Sequence, residues 1–90
     1  MNQVKGKDVG EIKLYAISTC IWCKKTKKLL NELNVGYEYV DMDLLDKNER
    51  EQINEIVKEC NPKLSYPTLK INNDCIIGFK EEKIREAIKK

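Results

Sequence analysis

Six consecutive residues, Ile12-Lys13-Leu14-Tyr15-Ala16-Ile17, do most to restrict what this chain can become. They alternate once and then turn wholly apolar, the pattern of a strand buried on both faces. Such a strand needs covering structure on each side of its sheet. Ser18 and Thr19 break the run, and Cys20-Ile21-Trp22-Cys23 follows at once. From Cys23 to about Leu33, the residues Thr26, Leu29, Leu30 and Leu33 recur at helical spacing, with lysine and glutamate on the other face. Asn34, Val35 and Gly36 end that helix, and Gly36 is the expected left-handed cap.

The remaining residues continue the alternation of elements. Tyr37 to Asp41, rich in aromatic and branched residues, reads as a strand. Asp46 followed by Glu49 resembles a capping box and starts a helix with Ile53, Ile56, Val57 and Cys60 on one face. Asn61-Pro62 stops it. Pro67 to Ile71 and Cys75 to Ile77 are short strands, and Asn72-Asn73-Asp74 between them suits a hairpin turn. Gly78 breaks the chain, and Ile84, Ala87 and Ile88 mark a last helix. The order β-α-β-α-β-β-α predicts an α/β fold. A right-handed crossover gives a parallel pair and the hairpin an antiparallel one, so the sheet is mixed and four-stranded with helices on both faces. Residues 1–11 are expected as a polar leader, frayed or partly paired, and residues 12–90 as a single domain.

Composition excludes several function classes. A net charge of +2 is far from the balance of a nucleic-acid binder. It also fits a lysine-rich, non-catalytic binding domain poorly. The longest apolar runs, Leu14–Ile17 and Cys20–Cys23, are too short for a membrane span, which needs about 20 residues. The start of the chain lacks the apolar core of a signal peptide, so the expectation is a cytoplasmic protein. Histidine is absent, which removes Ser-His-Asp and Cys-His nucleophile systems and Cys/His zinc fingers.

Chemistry then falls chiefly to Cys20, Cys23, Cys60 and Cys75. A C-x-x-C that follows a buried strand and opens a helix places its first cysteine at the helix N-cap. There, unpaired N–H groups and the dipole stabilise a thiolate. Cys20 can attack a disulfide, and Cys23, one turn on, can resolve the mixed disulfide. The competing reading is a metal-binding module, with Cys20 and Cys23 holding zinc or a 2Fe-2S cluster. Cys60 and Cys75 are 15 apart and form no second C-x-x-C knuckle, which counts against a zinc site built from all four cysteines. Both read instead as small buried hydrophobic residues, with a regulatory disulfide between them as the lesser alternative.

Residues 12–90 resemble a glutaredoxin-like member of the thioredoxin superfamily. The likeness rests on strand, C-x-x-C helix, strand and helix, on Tyr66-Pro67-Thr68 opening the third strand, and on Gly78-Phe79 after the fourth. It implies a thioredoxin-like fold and a dithiol oxidoreductase. It further implies a cis Pro67 beside the cysteines and a Tyr66 backbone offered to an extended substrate. Thr19, Trp22, Lys24 and Gly78 join the expected substrate surface, while Lys27 and Lys28 read as a solvated face.

The chain also departs from the glutathione-using pattern. Ile21-Trp22 stands where Pro-Tyr is usual, and Ile17 where a lysine grips a glutathione carboxylate. A single glycine, Gly78, precedes Phe79-Lys80 where the family shows a glycine pair and a polar or acidic residue. That last stretch is closer to the redoxins that feed ribonucleotide reductase. The resemblance therefore implies no tightly bound cofactor and no metal. The expected partners are disulfide-containing or glutathionylated proteins, with glutathione or a reductase as electron donor. The expected state is a monomer with neither nucleic acid nor membrane as partner.

Overall fold

The computed structural model describes residues 1–89; Lys90, the end of the expected domain, lies outside the described residues. The chain forms strands β1 (Asn2–Val4) and β2 (Ile12–Ala16), helix α1 (Ile21–Glu32) and strand β3 (Tyr37–Asp41). A 3-10 turn at Met42–Leu44 leads to helix α2 (Lys47–Cys60), strands β4 (Thr68–Ile71) and β5 (Asp74–Ile77), and helix α3 (Glu81–Lys89). The sheet order is β1-β3-β2-β4-β5, with β2 at the centre.

The central strand is buried as its apolar run requires, with Leu14, Tyr15 and Ala16 all under 4% exposed. Leu14 and Ala16 pack on one face with Leu29 and Leu30 of α1 and Ile84 of α3. Tyr15 packs on the other with Val40, Met42 and Val57 of α2. β2 and β3 are parallel, joined through α1, whereas β4 runs antiparallel to both β2 and β5. Asp46 caps α2 as its spacing to Glu49 predicts, its carboxylate accepting the Glu49 N–H at 2.8 Å. Among the described residues no helix is long and apolar enough to cross a membrane.

Two expectations need correction. The sheet has five strands rather than four, because the leader supplies β1, antiparallel to β3 with Val4 opposite Tyr37. Backbone bonds extend this pairing, from Lys7 N–H to the Asn34 carbonyl at 2.8 Å and from Gly36 N–H to the Lys7 carbonyl at 2.9 Å. The contact requires glycine at Gly6 and is tight at Gly36. A Cβ on Gly6 would lie 2.5 Å from the Val35 carbonyl carbon, and one on Gly36 3.3 Å from the Gly6 backbone. Gly36 is therefore a close-approach residue. The left-handed position after α1 is Asn34, at φ 56°, a conformation that asparagine tolerates better than most residues.

Candidate active site

β2 ends at the centre of the sheet, and the chain turns through residues 17–19 into α1, so Cys20 and Cys23 sit at the carboxyl end of the central strand. Cys20 is the N-cap of α1, with extended backbone at φ −79° and ψ 122°. Its Sγ accepts the Cys23 N–H at 3.3 Å, the bond that a serine or aspartate oxygen makes at an ordinary cap. Cys23 is fully buried, and its Sγ accepts the Ile17 N–H at 3.5 Å.

These surroundings push the two thiols apart. Burial raises the Cys20 pKa, but hydrogen bonds from the Cys23 side chain and from the Cys23 and Trp22 backbones outweigh it, and the net shift is downward. Cys23 is pushed up to about 12, first by burial and then by its bond and proximity to Cys20; the Ile17 N–H and Lys27 offset only part of this. The expected result is that Cys20 alone reacts with iodoacetamide at neutral pH. Its rate should rise with pH as the thiolate forms, with a midpoint below the cysteine reference of 9.0. Mass spectrometry of protein alkylated across a pH series measures this; a Cys20 midpoint at or above that of an unfolded cysteine peptide would remove the proposed activation.

The loop ahead of Cys20 is held by a residue that the sequence does not single out. The Asp43 carboxylate accepts the Ser18 N–H at 2.8 Å and also the Ser18 hydroxyl. The hydroxyl and amide of Ser18 hold the Asp43 carboxyl below its usual range. The only available signal would have been its place in the turn after β3, level with the end of β2.

Tyr66 and Pro67 form the facing wall, joined by a cis peptide bond. Gly78 donates its N–H to the Pro67 carbonyl at 2.8 Å and turns at φ 83°, in the region that favours glycine. Trp22, Tyr66, Pro67, Gly78 and Phe79 line a cleft of about 290 Å³. Trp22 is 52% exposed and stacks on Phe79 with ring centroids 6.2 Å apart, and Lys25 Nζ lies 4.5 Å from the centre of its ring. A larger cavity of about 640 Å³ lies between the leader and β3, but no cysteine lines it and we assign it no chemistry.

Thr19 and Lys24 are exposed beside the cysteines; among the described residues no hydrogen bond or ion pair ties Lys24 to either sulfur. Lys27 is not the solvated residue expected. Its Nζ lies 3.0 Å from Asp41 and 4.3 Å from the centre of the Tyr39 ring, pinning α1 to β3. Cys60 and Cys75 also depart from expectation: they are joined in a disulfide, with Cys60 half-buried and Cys75 exposed. Periodicity on α2 places Cys60 towards the core but says nothing of its distance from the β4–β5 hairpin. While those two sulfurs are bonded to each other, they are not available as ligands to a zinc site drawing on all four cysteines.

Residues 12–76 match the glutaredoxin family model. The chain is 35% identical over 80 residues to a glutaredoxin-like 8.6 kDa protein in a rubredoxin operon of Clostridium pasteurianum, covering 88% of this chain and 99% of that one. The crystal structure of the glutaredoxin from Methanosarcina mazei Go1 superposes with a TM-score of 0.91 and 49% identity, covering 97% of this chain and 85% of that one. Methanosarcina acetivorans methanoredoxin superposes with a TM-score of 0.89 and 50% identity, covering 92% and 88% respectively.

Proposed function

This chain belongs to the glutaredoxin family, with its thioredoxin-like fold, and from that premise we propose that it reduces protein disulfides and mixed disulfides through Cys20 and Cys23. The observation that carries the reading is the N-cap thiol of Cys20, bonded by the Cys23 N–H, beside a buried Cys23 shifted the opposite way.

The Cys20 thiolate attacks one sulfur of the substrate R–S–S–R′. A bond from Cys20 to SR forms, and R′S⁻ leaves and takes a proton. Cys23 then gives up its proton, attacks Cys20 Sγ and expels RS⁻, leaving the Cys20–Cys23 disulfide. Two electrons pass to the substrate. Capture of Cys20 in the mixed disulfide also removes its hydrogen bond and its charge, both of which raise the Cys23 pKa. The resolving thiol thus becomes more acidic at the step that needs it. The electrons are restored by an external dithiol reductase or by glutathione.

Tyr66-Pro67 presents its backbone to an extended substrate, Trp22 and Gly78 bound the groove, and Thr19 and Lys24 flank the attacking sulfur. Exposed Ile21, Trp22 and Leu44, at 62, 52 and 71%, give this end of the molecule an apolar rim suited to a protein partner. We place the protein in the cytoplasm as a monomer that acts without nucleic acid, membrane or resident cofactor.

Glutathione is expected to bind weakly. Ile17 offers no cation, and the cleft beside it is lined by Asp43, Arg50, Asn54 and Tyr66. Arg50 is already committed, its guanidinium donating to the Met42 and Leu45 carbonyls at 3.1 and 2.9 Å. Each missing charge-assisted bond removes roughly 1.5–3 kcal/mol, so two lost bonds weaken binding about a hundredfold or more. Turnover with glutathione and its reductase, set against a thioredoxin reductase or a ferredoxin-linked donor, measures the difference. Saturation by a glutathione mixed disulfide at sub-millimolar concentration would make this an ordinary glutathione-dependent enzyme instead.

A further inference from the structure

The second cysteine pair stands where the substrate groove is anchored. We propose that Cys60–Cys75 is a second exchangeable redox site, more reducing than Cys20–Cys23, whose opening loosens that groove. The part concerning the groove rests on the function proposed above; the redox ranking does not.

The bond is open to attack. Cys75 is exposed on the edge strand β5, and a cleft of about 190 Å³ lined by Ile56, Glu59, Cys60, Lys70, Asn73 and Cys75 leads to the sulfurs. The co-reactant is a dithiol. One of its sulfurs attacks Cys75 Sγ as a thiolate, and Cys60 leaves and takes a proton. Its second sulfur then loses a proton, attacks the first and expels Cys75, which is protonated in turn. The dithiol becomes a disulfide, and two electrons end on the cysteine pair.

The environments rank the two pairs. A thiolate at Cys20 is held by helix N-terminal N–H groups, and stabilising the reduced form makes a disulfide a stronger oxidant. Cys60 is the last residue of α2, at the negative end of the dipole and next to Glu59, and Asp74 precedes Cys75. Lys70, directly opposite Cys75 across the β4–β5 ladder and the cation in the cleft lining, favours a Cys75 thiolate and offsets part of this. Lys58, in the last turn of α2, is paired with Glu55 at 3.2 Å. Reduced Cys20–Cys23 therefore leaves Cys60–Cys75 closed, and a more strongly reducing dithiol opens it.

Opening reaches the groove through residues 61–68. Asn61, which follows Cys60, is 2% exposed, and its amide donates to the Ser65 carbonyl, the Ser65 hydroxyl and the Thr68 hydroxyl at 3.0, 2.9 and 3.1 Å. Its backbone carbonyl accepts from Leu64, which is held at φ 52°, a conformation that leucine adopts only under constraint. Tyr66-Pro67 follows directly. The other end of the disulfide lies on β5, which runs on to Gly78 and its bond to Pro67. The disulfide thus closes a ring around the segment that carries one groove wall, and it anchors the strand that leads to the other.

The full chain, equilibrated with graded ratios of reduced to oxidised dithiothreitol and quenched with iodoacetamide, is read by mass spectrometry. Cys20 and Cys23 should open first, with Cys60 and Cys75 labelling together at a ratio at least about tenfold higher. Labelling at the same or a lower ratio, labelling without reductant, or no labelling in the folded protein overturns the redox site. Amide exchange across residues 61–68 is compared in the wild-type chain at ratios just below and above that opening. Faster exchange there, with α1 unchanged, is expected; unchanged exchange overturns the coupling. The Cys60→Ser/Cys75→Ser double variant should raise KM for insulin disulfides about three- to tenfold at an unchanged Cys20 alkylation rate, and an unaltered KM counts against the coupling. If the wild type reduces no insulin, the proposed function fails, while labelling and exchange still decide the redox site.

Discussion

Cys20→Ser is expected to lower disulfide reduction on the order of a thousandfold or more, because the serine hydroxyl forms no nucleophilic anion near neutral pH. The substitution keeps the cap: a serine oxygen at this position accepts the Cys23 N–H that the sulfur now accepts at 3.3 Å. Stability should therefore change by less than about 1 kcal/mol, so that loss of activity reports chemistry and not unfolding. Cys23→Ser separates the two steps. Its Cys20 should still attack, and the mixed disulfide, with no resolving thiol behind it, should accumulate to one equivalent and be visible by intact mass. Turnover assays on both variants, with circular dichroism as the control for folding, test the assignment. Undiminished turnover in Cys20→Ser would move the chemistry to another residue, and rapid release of the mixed disulfide in Cys23→Ser would assign resolution to an external thiol.

The second large effect is expected on stability, at Asn61. Its side chain lies between α2 and β4 and holds the turn leading to Tyr66-Pro67. Its Nδ2 reaches Ser65 and Thr68, and its Oδ1 accepts the Lys63 N–H at 3.2 Å. Asn61→Ala should destabilise the fold by about 2–4 kcal/mol, the sum of lost buried bonds and the space left behind. Leu64 at φ 52° would also lose part of the network that keeps it in an unfavourable conformation, at a further cost of order 1 kcal/mol. Urea unfolding of the variant gives the loss directly. Because Thr68 also donates to the Ser65 carbonyl at 2.7 Å, some order in the turn should survive, and KM for a protein disulfide should rise more than kcat falls. A loss under about 1 kcal/mol would mean that the turn holds itself.

The parts of the fold written in local patterns were legible. The doubly buried β2, the capped start of α2 and the Asn72-Asn73 hairpin each follow from residues next to one another in the chain, and each is where its pattern places it. The pair Cys20 and Cys23 belongs to the same class, since a four-residue motif at a strand–helix junction carries its own geometry. What stayed hidden depends on residues distant in sequence. Asn2-Gln3-Val4 has too little apolar character to announce a strand; it pairs because β3 offers an edge and Gly6 meets Gly36. The Cys60–Cys75 bond requires the end of α2 to meet the β4–β5 hairpin, which no spacing in the chain encodes. Asp43 looks like any turn carboxylate until the fold sets it under Ser18. Lys27 looked solvated only because Asp41, 14 positions on, could not be placed beside it.

The strand contributed by the leader bears on how the molecule behaves in company. A sheet has two outer margins, each a row of unpaired amides that can recruit another chain. Residues 2–4 occupy the margin of β3, covering Tyr37, Glu38 and Tyr39, which would otherwise be open to pairing with another chain. The strand laid over it is three residues long and two of them, Asn2 and Gln3, are polar, so the new margin is poor bait. The opposite margin is only four residues long, begins with an aspartate and stops at a glycine. Both borders are blunted. A crowded solution of this protein should therefore resist fibrillar association for reasons unrelated to its cysteines.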